Sequence, residues 1–150
     1  RHLISQGFVD AARIGIYGWS YGGYMTLYSL LNAPELFKAG IAGAPVADWH
    51  NYDTIYTERY LGTPAENEEG YRRSSAVTYA DKLKAKLLLV HNIEDDNVLF
   101  QNTLQMSDAL ERAGKLFSMT IYPQKSHGVT GPARKQLLEL TTDFFEKNLK

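Results

Sequence analysis

The chain has 150 residues, 44% of them hydrophobic, and a formal net charge of −1 from 16 Lys and Arg against 17 Asp and Glu. That length fits one domain and that apolar fraction is enough for a packed core; the charge gives no basic surface for nucleic acid and no field to steer an acidic ligand. Zero cysteines exclude disulfides and a cysteine nucleophile and leave the redox compartment open, and no apolar run approaches the ~20 residues of a membrane span.

Residues 1–12 hold an apolar patch and then Val9-Asp10-Ala11-Ala12, the pattern of a helix end and a turn. A strand is expected over Arg13–Tyr17 and a helix over Tyr21–Leu31, stopped at Asn32-Ala33-Pro34 because Pro34 cannot continue it. Ala39–Gly43 is small and apolar throughout, as in a strand buried on both faces. Asp48–Arg73 mixes aromatics and acids and reads as an insertion of short helices and loops. Lys82, Lys84 and Lys86 alternate with Leu83 and Ala85 as solvated residues entering a strand over Lys86–Val90. A helix follows from Asn97 to Ala113, with Gly114 as its left-handed stop and Leu104, Ala109, Leu110 and Ala113 toward the core. The last strand is Phe117–Tyr122, and a closing helix over Pro132–Asn148 buries Leu137, Leu138, Thr141, Phe144 and Phe145. Alternating strands and helices predict an α/β fold, a mostly parallel sheet flanked by helices with right-handed crossovers.

The chemistry starts at Gly18-Trp19-Ser20-Tyr21-Gly22-Gly23, directly after the first strand. Strand, tight turn on a serine, then helix is the layout of the nucleophile elbow of Gly-x-Ser-x-Gly hydrolases. Glycines around the serine leave room for a strained backbone that points the hydroxyl outward, beside a helix N-terminus that favours negative charge. Serine is a weak nucleophile, so a histidine must take its proton and a carboxylate must hold that histidine. Both follow in the order Ser, acid, His. Glu94-Asp95-Asp96 leaves the strand at 86–90 and His127 leaves the strand at 117–122, where open parallel sheets place their sites. Spacing alone leaves Glu94, Asp95 and Asp96 open as the acid, and Asp95 also fits a helix N-cap. His50 and His91 read as structural or surface groups. No His, Cys and carboxylate cluster has ligand spacing, so no metal and no organic cofactor is implied.

These residues carry a resemblance. Gly18-Trp19-Ser20-Tyr21-Gly22-Gly23-Tyr24, Ala44-Pro45-Val46 with Trp49, Tyr52-Asp53 with Tyr56-Thr57-Glu58-Arg59-Tyr60, Asp95-Asp96-Asn97-Val98 with Phe100-Gln101, and His127-Gly128 resemble the prolyl oligopeptidase family in its dipeptidyl peptidase IV branch. The resemblance runs over nearly the whole chain and implies the C-terminal part of an α/β-hydrolase catalytic domain. It implies Ser20 as nucleophile, Asp95 as triad acid, His127 as base and the Tyr21 N–H as an oxyanion donor. It further implies a substrate pocket built from Tyr21, Val46, Trp49, Tyr52, Tyr56 and Val98, with Asn97 hydrogen-bonding a substrate carbonyl. An aromatic box suits a small rigid ring such as proline. Trp49, Tyr52 and Tyr56 at i, i+3 and i+7 equally fit the core face of one helix. The chain departs from the family pattern at Asn92, where glycine is usual, and at Leu99, where an aromatic or histidine is common.

The resemblance also implies what lies upstream: further strands, a tyrosine side chain as second oxyanion donor, and an acidic pair on a β-propeller that grips a free amino group. On that reading the chain is a fragment, its partners are a peptide substrate, the remainder of the parent enzyme and a homodimer partner, and the strand before Ser20 has an open apolar edge that favours self-association of the isolated piece. The implied reaction releases N-terminal dipeptides with Pro or Ala second. The other readings are an acylaminoacyl peptidase or oligopeptidase, a carboxylesterase, and a non-catalytic module keeping the hydrolase scaffold.

Overall fold

The computed structural model describes residues 1–150. After a four-residue turn of helix, α1 (His2–Ser5), the chain alternates β1 (Gly15–Trp19), α2 (Tyr21–Asn32) and β2 (Ala39–Gly43). A 3-10 turn at Trp49–Asn51 leads into α3 (Thr54–Leu61) and α4 (Glu68–Ser74), and a second 3-10 segment covers Val77–Lys82. Then come β3 (Lys86–Asn92), α5 (Gln101–Arg112), β4 (Ser118–Tyr122) and α6 (Pro132–Asn148). The four strands form one parallel sheet in the order β1-β2-β3-β4, in register Gly15 with Ala39, Ala39 with Lys86 and Leu88 with Ser118.

Helices cover both faces because β2 and β3 are apolar on both. Ala42, Leu87 and Leu89 face α2, α5 and the second 3-10 segment, packing with Leu27, Leu30, Leu31, Met106 and Leu110. Their neighbours Ile41, Leu88 and Val90 face the other way and pack with Tyr122, Val129 and Leu137 of the α6 side. Every residue of β2 is buried, as its composition predicts. β1 is an outer strand of the sheet, with Tyr17 about half exposed.

Several details differ from the sequence reading: β3 runs on past Val90 to Asn92 and β4 starts at Ser118 rather than Phe117. β1 starts at Gly15 rather than Arg13, because the Asp10 carboxylate accepts the Ala12 N–H and the Arg13 side chain and the Arg13 N–H bonds the Asp10 carbonyl, holding a turn. α5 starts at Gln101 rather than Asn97, because the Asp95 carboxylate takes the N–H groups of Asn97 and Val98. Leu104 and Leu138 point outward, 52% and 59% exposed. The buried face of α5 is instead Asn102, Thr103, Met106, Ser107 and Leu110, and α6 buries only Leu137 fully. The polar members of the α5 face have partners: Asn102 Oδ1 accepts the Ala47 N–H at 3.0 Å and Thr103 meets His91. An apolar stripe alone therefore misjudges that helix's rotation.

Candidate active site

Ser20 sits between the end of β1 and the start of α2 at φ 61° and ψ −120°. Left-handed φ costs a non-glycine residue about 1–3 kcal/mol and persists only where the surroundings impose it. Here the Ser20 N–H donates to the Gly43 carbonyl at 2.8 Å and its carbonyl accepts from Tyr24 at 3.0 Å, so its backbone bridges sheet and helix. A Cβ at Gly18 would overlap the Gly22 backbone, and one at Gly23 would overlap the Gly43 carbonyl. A Cβ at Gly22 would meet nothing, so the crowding falls on Gly18 and Gly23. The Ser20 side chain does not cap α2, which leaves the hydroxyl free. Tyr21, the first residue of α2, has an N–H with no intrahelical acceptor, as every first-turn amide does.

Asp95 lies in the turn after β3 and is 4% exposed, whereas Glu94 and Asp96 are exposed. Its Oδ1 accepts the Asn97 and Val98 N–H groups, each at 3.0 Å, and its Oδ2 accepts from His127 Nδ1 at 2.8 Å. Among the three acids the fold therefore brings Asp95 to His127. No hydrogen bond joins the Ser20 hydroxyl to His127; the ring's one protein partner is Asp95.

Beneath the acid lies His91, fully buried. Its Nδ1 meets Thr103 Oγ1 at 2.7 Å, its Nε2 meets the Val98 carbonyl at 2.8 Å, and Asp95 Oδ2 is 3.3 Å from that same nitrogen. A neutral ring with hydrogen on Nε2 satisfies both bonds. Burial pushes its pKa below the usual histidine range, against the opposing pull of the Val98 carbonyl and Asp95. His91 thus props the turn that carries Asp95. His50 stays at the surface, bonded to Asp48 at 2.7 Å.

The aromatic residues converge beside Ser20. Trp49 is 7% exposed and stacks on Tyr56 at 5.9 Å, with edge contacts to Tyr24 at 5.0 Å and Tyr52 at 6.0 Å. Val46, Trp49 and Val98 form one buried cluster with Tyr24 and Tyr71. Trp49 belongs to the 3-10 turn, Tyr52 closes that turn and Tyr56 lies in α3, so these residues do not form one helix face. Ser20, Tyr21, Val46, Trp49, Tyr52 and Tyr56 line a cavity of about 150 Å³. Burial raises the Tyr52 and Tyr56 pKa values, aided by Asp53 and Tyr60 respectively, so both phenols stay neutral. The Tyr52 hydroxyl donates to Asn97 Oδ1 at 2.8 Å, which leaves the Asn97 amide N–H groups free to donate.

Ser20, Asp95 and His127 thus follow the C-terminal ends of β1, β3 and β4, at the same end of one parallel sheet. That arrangement and the elbow define an α/β-hydrolase. The chain belongs to the prolyl oligopeptidase family, whose profile matches residues 1–150. It is 43% identical over 154 residues to dipeptidyl peptidase 8 of Mus musculus, covering 99% of this chain and 17% of that protein. It is 42% identical to dipeptidyl peptidase 4 of Felis catus, covering 98% of this chain and 20% of that protein. The crystal structure of Porphyromonas gingivalis dipeptidyl peptidase 4 superposes with a TM-score of 0.92 at 51% identity, covering 95% of this chain and 20% of that one. The chain spans about a fifth of the length of these relatives.

Sequence reasoning missed the roles of His91, Asn92 and Trp19 around the pair Asp95–His127. The available signal was polar or amphipathic side chains at the last positions of buried strands, where an apolar run would otherwise continue.

Proposed function

We propose that the chain is the C-terminal part of the catalytic domain of a serine dipeptidyl peptidase, with Ser20 as nucleophile, His127 as general base and Asp95 as the group that orients and charges against it. The observation that carries this reading is the forced elbow at Ser20 at the same sheet end as the 2.8 Å Asp95–His127 pair. His127 Nδ1–H points to Asp95, so Nε2 carries the free lone pair and takes the Ser20 proton as the hydroxyl attacks the scissile carbonyl. The Tyr21 N–H stabilises the oxyanion, and an upstream group supplies the second donor. His127 then protonates the leaving amine, and water hydrolyses the acyl-enzyme by the same route. A Ser20–His127 hydrogen bond forms as substrate binds, since catalytic hydrogen bonds often tighten only in the complex.

The substrate is a peptide whose second residue is proline or alanine. A cavity of about 150 Å³ walled by neutral aromatic rings suits a pyrrolidine ring held by apolar contact. Asn97 donates to a substrate carbonyl. The relatives named as dipeptidyl peptidases support this reading. The test is turnover of dipeptide anilides by the full-length enzyme, comparing proline, alanine and leucine at the second position with short p-nitrophenyl esters. Proline or alanine anilides turn over and Ser20→Ala abolishes it; preference for the esters identifies a carboxylesterase.

A further inference from the structure

His127 lies on a stretch between β4 and α6 that has no helix or strand of its own. Such a segment keeps its shape only through the bonds its backbone finds. Three successive carbonyls of this segment are held by side chains from the ends of two other strands. Asn92, the last residue of β3, donates through Nδ2 to the Ser126 carbonyl at 2.6 Å and to the Gly128 carbonyl at 3.1 Å. Trp19, the last residue of β1, donates through Nε1 to the His127 carbonyl at 2.9 Å.

We propose that Asn92, together with Trp19, clamps this segment and is a positioning residue for His127. The proposal rests on the reading of His127 as the base. A carboxamide has two N–H hydrogens, and here each meets one carbonyl. The flipped amide would set Oδ1 against two carbonyl oxygens, so its orientation is fixed. Asn92 is fully buried and its Oδ1 has no protein partner, a cost that an apolar side chain at this strand end would not carry. The backbone carbonyl of Asn92 also accepts the Asp95 N–H at 3.3 Å. One residue thereby ties the turn of the acid to the segment of the base. Trp19 adds the third tie, from the residue next to Ser20.

The geometry matters because a base displaced by about 1 Å can lose about 100-fold in rate. The test uses the full-length enzyme with Asn92→Gly, which removes the side chain, and Asn92→Asp, which keeps its shape but cannot donate. Active sites are titrated with a fluorophosphonate, so that kcat refers to folded, reactive Ser20 alone. Both variants lose about 10–100-fold in kcat, with KM within about twofold of wild type. A merely structural role would lower the titrated fraction or the melting temperature and leave kcat per site unchanged. If the Asn92 variants do not accumulate, Trp19→Phe removes only the third tie and shows the same split. An unchanged kcat per site in Asn92→Gly and Asn92→Asp, or in Trp19→Phe where it stands alone, overturns the clamp while leaving the triad intact. A wild-type enzyme that takes no label at Ser20 overturns the triad reading and the clamp with it.

Discussion

Replacing Asp95 by Asn tests the chemistry of this site while keeping the backbone bonds that shape its turn. The carboxylate accepts three bonds: two from the backbone of Asn97 and Val98 at Oδ1, and one from His127 at Oδ2. Asn keeps the two backbone bonds through its own Oδ1, since the flipped amide would face two N–H donors. Its NH₂ then lies against His127 Nδ1 and turns the ring into the tautomer with hydrogen on Nε2, which cannot accept the Ser20 proton. The fold loses one charge-assisted bond, about 1.5–3 kcal/mol. The reaction loses about 10⁴-fold in kcat, as wrong-tautomer triads do, which is about 5.5 kcal/mol on the barrier. The assay is kcat on a proline dipeptide anilide beside the melting temperature of the same full-length preparation. A variant that melts a few degrees lower yet keeps kcat within about tenfold of wild type refutes the role given to Asp95.

Three further outcomes follow from the geometry. Gly23→Ala drives a Cβ into the Gly43 carbonyl and destabilises by about 1–3 kcal/mol, whereas Gly22→Ala enters open space in a helix and is neutral or stabilising by up to about 1 kcal/mol; urea unfolding that ranks them the other way contradicts the crowding described for the elbow. Tyr52→Phe removes the donor to Asn97 and raises KM about fivefold for about 1 kcal/mol of bond, with kcat held; an unchanged KM removes Asn97 from the binding site. His91, held below its ordinary pKa mainly by burial, refuses a proton that the unfolded chain takes. Its contribution to stability is therefore whole above about pH 6.5 and falls as pH drops below it, by up to about 1.4 kcal/mol per unit. Melting temperatures from pH 7.5 to 5 show a shallower acid decline in His91→Gln, and an identical decline in both proteins contradicts it.

The fold was largely legible because Ala39–Gly43 and Leu87–Val90 are apolar throughout, the pattern of a parallel sheet covered on both faces. The elbow was legible because Gly18 and Gly23 are demanded by contacts within a few residues of Ser20 or across one strand pair. Spacing alone left Glu94, Asp95 and Asp96 open as the acid, and only the family resemblance singled out Asp95, because the three differ in which one the turn after β3 buries. That turn is shaped by Asp95's own hold on the amides of Asn97 and Val98, which also moved the start of α5. The rotation of α5 was hidden for a related reason: Asn102 and Thr103 are buried because loop backbone and His91 need their side chains, a demand arising 55 and 12 residues away. Asn92 looked only like a departure from a glycine, because its partners at 126 and 128 meet it through tertiary structure.

Activation of Ser20 by His127 is open to a single labelling experiment, in which the full-length enzyme reacts with a fluorophosphonate probe and the labelled peptide is mapped. One label is expected, on Ser20, absent in Ser20→Ala and slower by orders of magnitude in His127→Ala. Absence of label on Ser20 in the folded wild-type enzyme, or equal labelling with and without His127, would contradict it.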